Sequence, residues 1–154
     1  MGSERALAMD RAAIEAAIPH RDPFLFVDRV LDVGDGAITT EWDVAAHLAA
    51  FRGHYPGQPI LPGVLISELA FQSAAILLAT PHAASLAKGV VPVLTRIEDA
   101  RFKRVVRPGE TLRAVVEIVE RVGPACYLKA RITCDGATVL KVSFTVALVD
   151  PAGA

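Results

Sequence analysis

Apolar and polar positions alternate with period two through the C-terminal half of the chain, most clearly at Leu112, Ala114, Val116 and Ile118 and again at Leu140, Val142, Phe144, Val146 and Leu148. Such alternation lines one face of a sheet with apolar side chains, so it predicts strands. The β-prone segments are 90–104, 111–122, 126–134 and 138–149, punctuated by Pro108-Gly109, Gly123-Pro124 and Asp135-Gly136. Two earlier segments, 24–31 and 37–44, read as a hairpin over Gly34-Asp35-Gly36. A short helix over 10–17 starts at the capping residue Asp10 and is ended by Pro19. The stretch 45–59 is irregular, with Gly53, Pro56, Gly57 and Pro59 close together. The run 60–79 (ILPGVLISELAFQSAAILLA) abandons alternation and predicts a helix from about 63 to 79, ended by Thr80-Pro81. That helix is apolar on nearly every side, and only enclosure buries all of its faces. The expected class is therefore α+β, an antiparallel sheet of about six strands curled around one long central helix. Residues 1–9 read as a flexible tail on a single domain spanning 1–154, with no repeat or linker.

Twenty residues of this hydropathy are long enough to cross a bilayer, but the run contains Pro62-Gly63, Glu68, Ser67, Gln72 and Ser73, which lipid penalises. A buried helix is the better reading. Residues 1–17 carry charges of both signs and no continuous apolar stretch, unlike a secretory leader, so the cytoplasm is the expected compartment. Hydrophobic residues make up 53% and charged residues 21% of the 154, enough to build a core and too apolar for a disordered chain. Cys126 and Cys134 fall eight positions apart in one strand, roughly 26 Å on one face, too far to pair. Net charge is −1, yet 101–107 (RFKRVVR) holds Arg101, Lys103, Arg104 and Arg107 and no acid. This is either an ordinary solvated strand or a docking patch for an acidic partner. Nucleic acid is the poorer partner, since the patch is small and the chain net negative.

A carboxylate inside an apolar helix must find a partner or take up a proton. Glu68 and Gln72, at i and i+4, share a helix face among Leu65, Leu69, Ile76 and Leu77. Either Glu68 is a buried acid with a raised pKa, able to donate a proton near neutrality, or it marks a helix end emerging into solvent. His54 precedes the helix in a stretch whose glycines and prolines hold an irregular path. A lone histidine is commonly a packing or surface residue. Here it stands just before a helix N-terminus with unpaired amides, where a base, an acid and anion-stabilising N–H groups can converge.

The string 53–72 (GHYPGQPILPGVLISELAFQ), supported by 18–30 (IPHRDPFLFVDRV) and 101–112 (RFKRVVRPGETL), resembles the signature of the 3-hydroxyacyl-[acyl-carrier-protein] dehydratases. The similarity spans roughly 18–148. It implies the hotdog fold and dehydration of 3-hydroxyacyl-[acyl-carrier-protein] to the trans-2-enoyl form, in fatty acid or related polyketide or polyene synthesis. By position it implies His54 and Glu68 as catalytic, the Gly63 amide polarising the thioester carbonyl, and Gln72 supporting the glutamate. No metal or organic cofactor is implied, the substrate being carried on the phosphopantetheine arm of acyl carrier protein. The implied assembly is a homodimer, commonly in trimers, each site drawing its histidine from one chain and its glutamate from the other. The basic cluster then reads as the docking site for the acidic carrier protein.

Two residues depart from the pattern. Tyr55 stands where phenylalanine is usual and adds a hydroxyl beside His54, and Phe71 is bulkier than the usual alanine, which makes it a candidate to narrow or redirect the acyl tunnel. Residues 41–52 also match less well. The competing readings are a hotdog thioesterase, which has no need of His54, and a partner subunit that completes another chain's site.

Overall fold

A computed structural model of the chain describes residues 7–80, 90–150 and 152. Most of the tail expected over 1–9 and the residues after Thr80 that were expected to stop the helix lie outside these. Met9 exchanges two backbone hydrogen bonds with Val30, each 3.0 Å, which tie the chain down from that point. The first helix, α1 (Arg11–Ala17), starts where Asp10 accepts from the Ala13 amide at 2.9 Å. It buries Ile14 against the core.

Six strands form one antiparallel sheet: β1 (Arg29–Val33), β2 (Ala37–Asp43), β3 (Val91–Phe102), β4 (Thr111–Val122), β5 (Ala125–Cys134) and β6 (Ala137–Val149). Their order is β1-β2-β4-β5-β6-β3. The alternation read from the sequence is carried out by burial. In β5 it is Cys126, Leu128, Ala130, Ile132 and Cys134 that point inward, and in β4 Leu112, Ala114 and Val116. Both cysteines are free and buried.

The central helix, α2 (Gly63–Ala79), packs against β2, β4 and β5 and also touches β3 and β6. Every residue from Gln72 to Leu78 is buried, so no helix face is left to solvent along that length. This is the sheet-wrapped helix of the hotdog fold, α+β as expected. The buried hydroxyls of Ser73 and Thr40 meet at 2.8 Å and fasten the helix to β2.

One element is shorter than its pattern. The segment 24–31 reads as a strand, yet β1 begins only at Arg29. Gln72 accounts for the difference. Its Nε2 donates to the Phe24 carbonyl at 3.0 Å and its Oε1 accepts from the Phe26 amide at 2.8 Å, so this backbone pairs with a helix side chain instead of a strand.

β3 behaves unlike the other strands. It lies at the sheet edge beside β6, and all of its residues from Val93 onward are exposed. Val93, Leu94, Ile97 and Phe102 are 38–50% exposed. An edge of this length, with open backbone groups and apolar side chains, is a ready template for a second chain.

Candidate active site

The loop between β2 and α2 is built around His54. Tyr55 and Gln58 exchange backbone hydrogen bonds of 3.0 and 2.9 Å, closing a turn with Pro56 and Gly57 at its corners. Gly57 has φ 76°, the left-handed value that the third residue of a type II turn requires and that glycine adopts without strain. The His54 carbonyl accepts from the Ile60 amide at 2.9 Å, and its Nδ1 lies 2.8 Å from the Ile60 carbonyl. A carbonyl can only accept, so Nδ1 carries the proton and Nε2 keeps its lone pair, the form of a general base. Tyr55 stacks on the imidazole at 4.1 Å between ring centroids and is itself exposed.

Gly63 opens α2. The Pro62 carbonyl takes the Leu65 and Ile66 amides, and no side chain caps this end, unlike that of α1. The first amides of the helix thus remain available to an oxyanion. A Cβ on Gly63 would stand 3.0 Å from the Phe102 ring, so β3 and the helix start approach more closely than a larger residue permits.

One and a half turns on, Glu68 projects into a cavity of about 290 Å³ lined also by His20, Phe71, Ala75, Leu94 and Val146. Burial raises its pKa, opposed in part by a hydrogen bond from Gln72 Nε2 at 3.2 Å. Glu68 is half-buried, between the buried acid and the solvated helix end that the sequence left open, and its raised pKa is the feature it shares with the first. Phe71 lines the same cavity and packs edge-to-face on Phe144 at 5.0 Å. Among the described residues, no hydrogen bond or ion pair joins His54 to Glu68 within the chain. Nor does any group of three or more His, Cys, Asp or Glu gather to hold a metal ion.

The basic cluster is divided by the structure. Arg101 pairs with Asp99 at 2.8 Å and lines an outer-face groove of about 640 Å³ together with Lys129, Arg131 and Lys141. Arg104 is committed to Glu110 at 2.8 Å, and the same carboxylate accepts from the Cys134 thiol at 2.9 Å. Lys103 and Arg107 are exposed. The groove's three further cations occupy outward positions of β5 and β6, where alternation makes a polar residue unremarkable. His20 lies 3.9 Å from Glu68, a neighbour that its place in the string 18–30 does not mark.

A family model, the FabA-like domain, matches residues 18–143. The chain belongs to the FabA-like family. This FabA-like protein is 39% identical to the 3-hydroxyacyl-[acyl-carrier-protein] dehydratase FabZ of Anaeromyxobacter sp. (strain Fw109-5), over 97% of this chain and 98% of that one. It is 38% identical to the FabZ of Lactococcus lactis subsp. cremoris (strain SK11), over 88% and 92%. Among solved structures it resembles the dehydratase heterocomplex ApeI:P from Xenorhabdus doucetiae, with a TM-score of 0.73 at 15% identity, covering 90% and 92%. A hypothetical thioesterase from Streptococcus pneumoniae TIGR4, solved with coenzyme A, gives 0.60 at 16%, covering 79% and 84%. Likeness at such identities shows a shared fold. No helix among the described residues is long and apolar enough to cross a membrane.

Proposed function

We propose that this FabA-like protein dehydrates 3-hydroxyacyl-[acyl-carrier-protein] to trans-2-enoyl-[acyl-carrier-protein] as a hydro-lyase of fatty acid synthesis. The observation that carries the reading is Glu68, an acid lifted above its ordinary pKa by burial in a cavity that, His20 apart, is lined by apolar residues. Its FabZ relatives, at 36–39% identity over most of the chain, support the same reaction.

Elimination of water takes one proton from C2 and gives one to the departing C3 hydroxyl. His54 is the base, its Nε2 lone pair presented by the Nδ1 hydrogen bond to Ile60. As the C2–H bond breaks, negative charge moves onto the thioester oxygen, where the Gly63 amide at the helix start receives it. Glu68 delivers its proton as the C3–O bond breaks, directly or through an ordered water, and the hydroxyl leaves as water. Release of the His54 proton and reprotonation of Glu68 restore the starting state. Only protons move, and the chain's own residues fill each role without a resident cofactor; the phosphopantetheine arm belongs to the substrate.

The working unit is a dimer whose two sites each combine His54 of one protomer with Glu68 of the other. The open apolar edge of β3 supports such pairing, as does the absence of a His54–Glu68 contact within one chain. The exposed Lys103 and Arg107, with the outer groove whose four cations outnumber its acids Asp99 and Glu117, give the carrier protein a surface of positive excess. Incubating the purified protein with 3-hydroxyacyl carrier-protein substrates of several chain lengths tests the reading, with 2-enoyl product expected. Thioester hydrolysis instead of dehydration would assign the site to a thioesterase.

A further inference from the structure

His20 occupies the Glu68 cavity, yet the proposed reaction leaves it without a task. Its Nε2 lies 3.9 Å from Glu68 Oε1, and its Nδ1 is buried with no hydrogen-bond partner among the described residues. The ring is held there from both sides in sequence. Arg21 binds the carbonyls of Ile18, His20 and Glu15 at 2.7–2.9 Å, fixing the backbone at the end of α1. Gln72 fixes the next segment through Phe24 and Phe26.

Burial selects the tautomer. A buried N–H without an acceptor forfeits a hydrogen bond, whereas a bare ring lone pair is the more tolerable orphan. The proton therefore sits on Nε2, facing Glu68. A second proton would have to be placed on the partnerless Nδ1. Burial and the neighbouring Arg21 guanidinium both hold the imidazole pKa below its usual value, so the ring stays neutral. Among the described residues, the cavity lining carries no ionisable group apart from His20 and Glu68.

A neutral His20 thus aims one N–H at Glu68 Oε1, the same oxygen that accepts from Gln72. The present separation is beyond hydrogen-bond length, and contacts of this kind commonly tighten when substrate closes the site. An oxygen approached by two donors behaves as the carbonyl oxygen of a carboxylic acid, which leaves the acidic proton to the other one. We infer that His20 is a positioning residue: with Gln72 it holds Glu68 Oε1 as an acceptor, so that Oε2 carries the proton given to the leaving hydroxyl. This inference rests on the dehydratase reading of the same site.

The test joins nitrogen NMR of the full-length, 15N-histidine-labelled assembly with two variants. At pH 7 the His20 ring is expected as the Nε2–H tautomer, its signals assigned by their loss in H20Q. His20→Phe keeps the ring's bulk without its N–H and should lower kcat about tenfold or more, with KM for the carrier substrate within about twofold. His20→Gln places an amide N–H near the former Nε2 and should restore kcat to within about threefold of the parent. An Nδ1–H or imidazolium ring at pH 7, a parental kcat in H20F, or equal losses in H20F and H20Q would each overturn the inference. A parent protein with no dehydratase activity would defeat the reaction assignment instead, and the tautomer measurement, which needs no turnover, tells the two failures apart.

Discussion

His54 and Ile60 face each other across the Tyr55–Gln58 turn, ring Nδ1 against backbone carbonyl at 2.8 Å, while the Ile60 amide bonds back to the His54 carbonyl at 2.9 Å. The imidazole is thereby oriented by main-chain hydrogen bonds together with the stacked Tyr55 ring, and its Nε2 is left as the basic nitrogen. Replacing it with alanine should lower kcat by a factor on the order of 10² to 10⁴, the usual worth of a positioned general base. Because His54 is part of a surface turn, the variant's melting temperature should stay close to that of the parent. Steady-state kinetics on an acyl carrier-protein substrate, paired with a thermal melt, checks both halves of this expectation.

Glu68 must hold its proton to serve as an acid, so turnover should fall as pH rises past its elevated pKa. The linkage has a definite sign. Burial makes the folded state bind this proton more tightly than the unfolded chain, whose glutamate titrates near 4.5. Stability therefore drops as pH rises from about that value to the folded one, where a charge must be kept in the cavity. Glu68→Gln removes the charge and keeps the shape. It should abolish most activity yet melt higher than the parent at pH 8, with the advantage shrinking toward pH 4. A lower melting temperature at pH 8 would mean that the carboxylate is well solvated or paired.

Much of this arrangement is legible from pattern. The central helix runs from Gly63 to Ala79 as read, because a Pro-Gly start and an apolar run leave little ambiguity. The β4, β5 and β6 strands follow the alternation to within a residue or so of each end. What escaped sequence reading depends on partners distant in the chain. Phe24–Phe26 is β-prone yet not a strand, because Gln72, nearly fifty residues on, takes its backbone groups. Arg104 looks free for a partner until Glu110 and Cys134 are seen beside it. His20 meets Glu68 only through the fold, and nothing in its local spacing marks it.

Phe71 lines the Glu68 cavity and packs on Phe144. Phe71→Ala should enlarge the cavity at a cost of about 2 kcal/mol, below the 3–5 kcal/mol of a fully buried phenylalanine, since the ring is only partly buried. Space gained there should favour longer acyl chains. Comparing kcat/KM over a series of 3-hydroxyacyl lengths, the variant's optimum is expected to move up, and an unchanged optimum would remove Phe71 from the tunnel.

Charge reversal separates the cations by what they touch. Lys103 and Arg107 are exposed, so Lys103→Glu and Arg107→Glu should raise KM for carrier-bound substrate severalfold, more at low salt than at high, and leave a small thioester mimic unaffected. Arg104→Glu should behave differently. It sets two carboxylates against each other beside Cys134, so the variant should lose stability and turn over both substrates less well. Parallel effects in all three variants would argue against a docking role.

A site shared between protomers, as proposed, carries a quantitative prediction. H54A and E68Q are each expected to be inactive alone, for opposite reasons. If every site combines His54 of one protomer with Glu68 of the other, a heterodimer of the two variants contains one doubly damaged site and one intact site. Random exchange makes about half of all dimers mixed, so about a quarter of the sites regain function. Were both residues drawn from the same chain, every site would keep one lesion and mixing would restore nothing. Partial unfolding and refolding of an equimolar mixture, followed by a dehydratase assay, reads the difference directly. A third variant confirms the route of exchange: Ile97→Lys, on the exposed face of β3, should weaken dimerisation, shift the oligomer distribution in sedimentation toward monomer, and lower activity in proportion.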